Sequence, residues 1–322
     1  CIVTPETIAE MAVSKYVDGM PLHRLEKKFA RHGIDIKRDQ MARWMMMAAK
    51  KAESVKHELI RLLLSGSQMA MDETSIQVLK EKGRRPDTKS FMIVQCREGP
   101  PGKSITLFHY SKSRSTDSLA EYLHGFQGSL ITDGLAGYKS YAMHNPGISH
   151  GGCMSHARRK FSDAIKGKKS NEIAKRESLL MHDLSDNEKE IASKSSQVIL
   201  KTREERSKPL MRMLEDHYLT HIDRVPRKSL TGKALVYLSN QWEHLSRFLE
   251  EPGLAMHNNF CERQIRPFAT GRRAWLFSDT PNGAHASATL YSLLITAQNN
   301  GLNPYEYMCR LLSAPDNPLP FA

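Results

Sequence analysis

Met69-Ala70-Met71-Asp72-Glu73-Thr74 marks a change of period in this chain. Before it, apolar residues recur at helical spacing; from Gln68 onward the spacing becomes that of strands. Met69 to Leu79 is predicted as a first strand, Phe91 to Gln95 as a second and Ile105 to His109 as a third. The turn-rich Lys82-Gly83-Arg84-Arg85-Pro86-Asp87 and Gly99-Pro100-Pro101-Gly102 separate them. A helix from Asp117 to Phe126 leads to the short strand Leu130-Ile131-Thr132, which stops at Asp133-Gly134. A further strand near Ile148 to Met154 runs into a basic helix carrying His156, Arg158, Arg159 and Lys160.

Strands first as a run, then alternating with helices, suit an α/β fold with a mixed sheet covered by helices, and the order resembles the ribonuclease-H-like fold. Residues 165–250 are rich in Lys, Glu, Ser and Leu with little strand character, and are predicted as a helical insertion. The first fifty residues read as three helices, around Ile8 to Tyr16, Leu22 to Arg31 and Arg38 to Ala49. The second and third have the spacing of a helix-turn-helix, with Lys37, Arg38 and Arg43 making the last one basic; a plain packing domain is the alternative. The expected organisation is a helical DNA-binding domain over 1–64, a catalytic domain over 65–300, and a C-terminal helix and tail over 301–322. The tail Pro315-Asp316-Asn317-Pro318-Leu319-Pro320 is predicted to be extended.

Composition narrows the partner. The 322 residues carry 47 Lys and Arg against 35 Asp and Glu, a formal charge of +12, so a polyanion is the natural ligand. No apolar run is long enough for a membrane span. The opening Cys1-Ile2-Val3-Thr4-Pro5 has neither the basic start nor the apolar run of a signal peptide. The five cysteines are scattered singly, as in free thiols of a reducing compartment, and a cytoplasmic, DNA-associated protein is expected.

Asp72 and Asp133 lie in or directly after apolar strands. Carboxylates so placed can face one point, where a hard cation relieves their repulsion. Both also suit turns, Asp133-Gly134 especially. Glu262 shares a helix face with Arg266, which could pair with a phosphate, but Asn259-Phe260-Cys261-Glu262 equally has the spacing of an N-terminal capping box. His150, Cys153 and His156 recur every three residues; with no evident fourth ligand, zinc is not expected, and Cys153 is assigned to the core. Trp275, after a basic pair, is also assigned to packing.

Several separated blocks resemble the transposases of the insertion sequence sixty-six family. They include Asp72-Glu73-Thr74, Thr132-Asp133-Gly134-Leu135-Ala136-Gly137-Tyr138, Cys153-Met154-Ser155-His156-Ala157-Arg158-Arg159-Lys160-Phe161 and Asn258-Asn259-Phe260-Cys261-Glu262-Arg263-Gln264-Ile265-Arg266-Pro267-Phe268. The resemblance implies a DDE transposase in which Asp72, Asp133 and Glu262 hold two Mg²⁺ or Mn²⁺ ions for strand cleavage and for attack of the freed 3′-hydroxyl on target DNA. It implies phosphate contacts by Arg158, Arg159, Lys160, Arg263, Arg266, Arg272 and Arg273, with His156, His257, Asn258 and Asn259 in support. Its partners would be the terminal inverted repeats, target DNA, further copies of the chain in a synaptic complex, and accessory proteins of the element. A nuclease that never joins strands and a decayed DNA-binding derivative remain the alternatives.

Two departures stand out. His257 occupies a position where the family commonly has Asp, and the chain starts after the family's usual N-terminal zinc-binding region.

Overall fold

Thr4 opens the first helix by accepting the amide of Thr7 with its hydroxyl, and Pro5 takes the first turn, where its missing N–H costs nothing. In the computed structural model, which describes residues 3–100, 102–167, 170–314 and 318–321, the chain packs as two compact units. The first comprises Cys1–Phe126 and Phe260–Ala322, the second Gln127–Asn259.

The first unit begins with helices α1 (Pro5–Tyr16), α2 (Leu22–Arg31), α3 (Arg38–Lys51) and α4 (Glu53–Leu64). Gly33, at φ +73°, follows α2 in the left-handed conformation that glycine tolerates best. The strands are β1 (Gln68–Gln77), β2 (Lys89–Arg97) and β3 (Ile105–Ser111), paired antiparallel in chain order. Helix α5 (Thr116–Leu123) covers one face, where Gln95 donates to the carbonyl of Tyr122 at 2.8 Å. The chain returns to this unit with α12 (Asn259–Trp275), α13 (Pro281–Asn299) and α14 (Pro304–Ser313). Helix α1 packs on α14, and α3 on α13. Tyr16 meets Tyr291 edge-on at 4.9 Å, so the early and late helices share one core.

Strand β3 is an outer strand and would present bare backbone groups to its open side. Ser292, Thr296 and Asn300 cover them. The Ser292 hydroxyl accepts from Phe108 N at 2.8 Å, Thr296 from Thr106 N at 3.1 Å and the Asn300 carbonyl from Ser104 N at 2.9 Å. Four helical residues rise about 6 Å and two strand residues about 6.7 Å, so the two spacings keep step along the edge.

In the second unit β4 (Gly128–Thr132) and β5 (Ile148–Gly152) run parallel, linked by α6 (Ala136–Met143), and α7 (Met154–Gly167) follows. Then come α8 (Glu172–Ile191), α9 (Ser196–Thr202), α10 (Lys208–Ile222) and α11 (Leu230–Ser246), a helical insertion before α12. Antiparallel and parallel pairing both occur. With the preceding helical bundle and the insertion, this is a mixed-sheet α/β architecture of the ribonuclease-H-like type.

Local differences from the sequence-based expectations have physical causes. Met154 begins α7 instead of ending a strand, because the Asn258 amide bonds to the buried Cys153 sulfur and turns the chain there. Helix α6 was not expected from periodicity, since Tyr138 is its only buried residue. Of the predicted extended tail, Pro315, Asp316 and Asn317 lie outside the described residues. Beyond them the carbonyls of Pro318 and Pro320 accept from Tyr307 and Asn300 at 3.1 and 3.0 Å.

Candidate functional site

In the first unit Asp72 is paired across the ladder with Val94, and Val94 with Phe108. Residues directly opposite in a ladder share a face, and the Phe108 ring reaches Phe268 of α12 at 6.4 Å, so this row faces α12. The Cys261 thiol donates to the Val94 carbonyl at 3.6 Å. That contact anchors the first turn of α12 over the residue opposite Asp72, with Glu262 next in the chain. Burial pushes the Cys261 thiol up, with Cys96, Asp72 and Glu262 adding to the effect. Both carboxylates therefore act on one buried sulfur.

Asp72 Oδ1 accepts its neighbour's amide, Glu73 N, at 2.8 Å, and Glu73 is held by Arg114 at 3.0 Å. Helix α12 starts at Asn259 itself, and the Asn259 side-chain oxygen accepts from the Ser155 hydroxyl at 2.9 Å.

In the second unit Asp133 follows β4 and lies on a cleft of about 430 Å³ shared with His156, Arg159, Lys160 and Tyr237. Its Oδ1 accepts from Leu135 N at 2.9 Å, so the turn role is real for one of its oxygens. Thr132 donates to the Asp133 carbonyl at 2.8 Å while His150 Nε2 meets the same hydroxyl at 2.8 Å, fixing the strand end from below. Lys160 stands over the Tyr237 ring at 4.6 Å. Burial, with Asp133 and Cys153 nearby, pushes the Tyr237 phenol up to about 12, so at neutral pH it is a hydrogen-bond donor. The cleft thus sets two cations, Arg159 and Lys160, and a donor phenol beside two carboxylates, Asp133 and Asp163.

Cys153 and Asn258 are buried, His156 half-buried. His257 is enclosed by two serines, with Ser155 Oγ 3.0 Å from Nδ1 and Ser185 Oγ 3.1 Å from Nε2. Burial, with Arg158 and Lys189 adding to it, lowers its pKa to about 4. A neutral ring donates once and accepts once; Ser185, whose own hydroxyl donates to the Met181 carbonyl at 2.9 Å, is placed to accept from Nε2.

The proposed phosphate contacts differ in position. Lys37, Arg38, Arg43, Arg159, Lys160, Arg263, Arg266 and Arg273 are exposed. Lys37 and Arg43 pair with Asp35 and Asp39 at 2.8 and 2.9 Å, contacts that water screens and a phosphate could displace. Arg158 is half-buried beside His257. Arg272 binds inward, donating to Thr74 and Ser75 of β1 at 3.3 and 3.0 Å. Trp275 packs edge-on against Phe268 at 5.4 Å while keeping part of its surface exposed. From sequence Tyr237 reads only as part of a helical packing face and Ser155 only as part of a motif block, and Ser185 is not picked out; a tyrosine or serine on a helix carries no local signal of which cleft it lines.

Among the described residues no helix is long and apolar enough to cross a membrane. Residues 1–286 match the family described as Transposase IS66 family. The uncharacterized protein y4qI of Sinorhizobium fredii (strain NBRC 101917 / NGR234) is 30% identical over 321 residues, covering 96% of this chain and 59% of the relative. The uncharacterized protein y4jD of the same organism is 29% identical over 321 residues, covering 97% of this chain and 62% of the relative. The chain thus spans about three-fifths of the length of these curated relatives.

Proposed function

The chain belongs to the IS66 transposase family, and on that premise we propose that it is a DDE-type polynucleotidyl transferase that cleaves transposon ends and joins them to target DNA. Asp72, Asp133 and Glu262 would be its metal ligands. The observation that carries this reading is the Cys261–Val94 contact, which sets Glu262 beside the residue opposite Asp72. Hard carboxylate oxygens suit Mg²⁺ or Mn²⁺. A bound pair of such ions supplies activation of the attacking water or 3′-hydroxyl and stabilisation of the leaving oxygen.

The chain's own groups would do the rest. Arg159 and Lys160 hold the phosphate from the cleft beside Asp133, and the protonated Tyr237 donates to it. His150 and Thr132 keep the Asp133 backbone fixed. His156, Asn258 and Asn259 support the start of α7 and α12, and His257 is a packed neutral group there, held by serines and not coordinating metal. Arg38, Arg43, Arg263, Arg266 and Arg273 contribute to binding the duplex, with Arg272 bracing β1 instead. Partners on this reading are the inverted repeats, target DNA, a second copy for synapsis and accessory proteins, in the bacterial cytoplasm.

The test is an assay of end cleavage and strand joining with Mg²⁺ or Mn²⁺, supercoiled target and any accessory proteins of the element. Asp133→Asn keeps the side chain's size while removing one anionic ligand. Both steps should fall by orders of magnitude, with DNA affinity nearly unchanged. Near-normal cleavage by the folded variant would refute the ligand assignment. Cleavage without joining by the unaltered protein would favour a nuclease.

A further inference from the structure

Away from the carboxylates, the insertion carries a second group of metal-capable side chains. His217 and His221 are one turn apart on α10, in the order His217-Tyr218-Leu219-Thr220-His221. Their rings lie 4.5 Å apart between centroids. His217 Nδ1 is 2.8 Å from Glu177 Oε1, and Glu177, on α8, is fully buried. His221 Nδ1 is 2.8 Å from the His217 carbonyl. In each imidazole, then, Nδ1 faces an oxygen.

An N–H at Nδ1 pointing to an oxygen acceptor leaves the lone pair on Nε2. That is how metal-binding histidines are held, with a carboxylate or carbonyl fixing the far side of the ring. Two such nitrogens four residues apart on one helix face form a chelating pair. A tetrahedral ion bound at about 2.0–2.1 Å by both would hold the ring centroids roughly 5 Å apart, close to the separation seen. Glu177 supplies the independent observation. Its Oε2 is buried with no hydrogen-bond partner among the described residues. A carboxylate behind a cation-bound imidazole has a reason to be there.

We infer that His217 and His221 bind a borderline divalent transition-metal ion, of the Zn²⁺ or Ni²⁺ class, through their Nε2 atoms, with Glu177 holding His217 in the ligating form. Imidazole selects these ions over Mg²⁺, so the site differs in chemistry from the carboxylates. Water completes the coordination. Arg176, close enough to act on His217, opposes the cation and keeps affinity moderate. The inference does not depend on the transposase reading.

Ni²⁺ titrated calorimetrically into the tag-free full chain, with excess Mg²⁺ present, tests it. One equivalent should bind in the micromolar range and raise the melting temperature. His221→Ala and the double variant His217→Ala/His221→Ala should lose that equivalent and the thermal shift, while circular dichroism remains that of the unaltered protein. Glu177→Gln should weaken binding about tenfold, in the range seen when a ligand's supporting partner is removed. His221 is only half-buried, so its single variant keeps the test valid even if the double variant unfolds. Failure of the unaltered chain to bind Ni²⁺, or equal binding by the folded His221→Ala variant, would overturn the site. A Glu177→Gln variant that melts lower but binds Ni²⁺ equally would remove Glu177 from it.

Discussion

Thr296 and Thr106 are joined twice: the Thr106 amide donates to Thr296 Oγ1 at 3.1 Å, and that hydroxyl donates back to the Thr106 carbonyl at 2.9 Å. A side chain on α13 therefore takes the place a neighbouring strand would have on the open side of β3.

Thr296→Val keeps the shape and removes both bonds. The Thr106 N–H and C=O would stay buried without that partner, at a cost of about 1–3 kcal/mol. Urea unfolding should show a lower midpoint with an unchanged slope. A midpoint equal to that of the unaltered protein would mean that water or Asn299 replaces the hydroxyl.

His257 makes a prediction with a definite sign. Its pKa is lowered to about 4 in the fold, against 6.5 for a free histidine. Above pH 6.5 neither state carries the proton and the group leaves stability untouched. As pH falls from 6.5 towards 4, the unfolded chain takes up a proton that the folded chain refuses, so stability is lost over that window. By pH 5 the loss is about 2 kcal/mol. His257→Asn should reduce the acid sensitivity by that amount, measured as urea stability at pH 7.5 and pH 5; parallel losses in both proteins would contradict the assignment. His257→Asp should also fold, since Ser155 and Ser185 can donate to the carboxylate and Arg158 and Lys189 lie near it.

DNA binding should weaken steeply with salt, because each phosphate neutralised by Lys or Arg releases counterions. Removing residues 1–64 would bare the core shared by α1, α3, α13 and α14, so point variants are the cleaner probe. Arg38→Ala with Arg43→Ala should lower affinity and reduce the salt slope by up to about 2. If α3 enters the major groove, preference among sequences should fall as well. An unchanged slope would take this helix out of the interface, and uniform weakening across sequences would make it a backbone contact only.

Much of the architecture could be read in advance, for a physical reason. Strand and helix leave different apolar periods, and β1, β2, β3 and α13 are long enough to show theirs. Helix α6 buries a single residue, so its sequence carries almost no helical period. Asp72 in a strand, Asp133 at a strand end and Glu262 on a helix are legible as residue types, but spacing alone leaves each open to a turn or cap, and the resemblance to a family selects among those roles.

The alternation of elements, the basic charge and the motif blocks depend on neighbours along the chain, so the linear order of residues is enough to read them. Folding in three dimensions is what brings Cys261 to the Val94 carbonyl opposite Asp72, turns Arg272 inward to Thr74 and Ser75, and buries Glu177 behind His217. Each of those pairs is far apart in the chain. Hydrogen bonding and burial depend on distance in space, which a linear pattern does not carry.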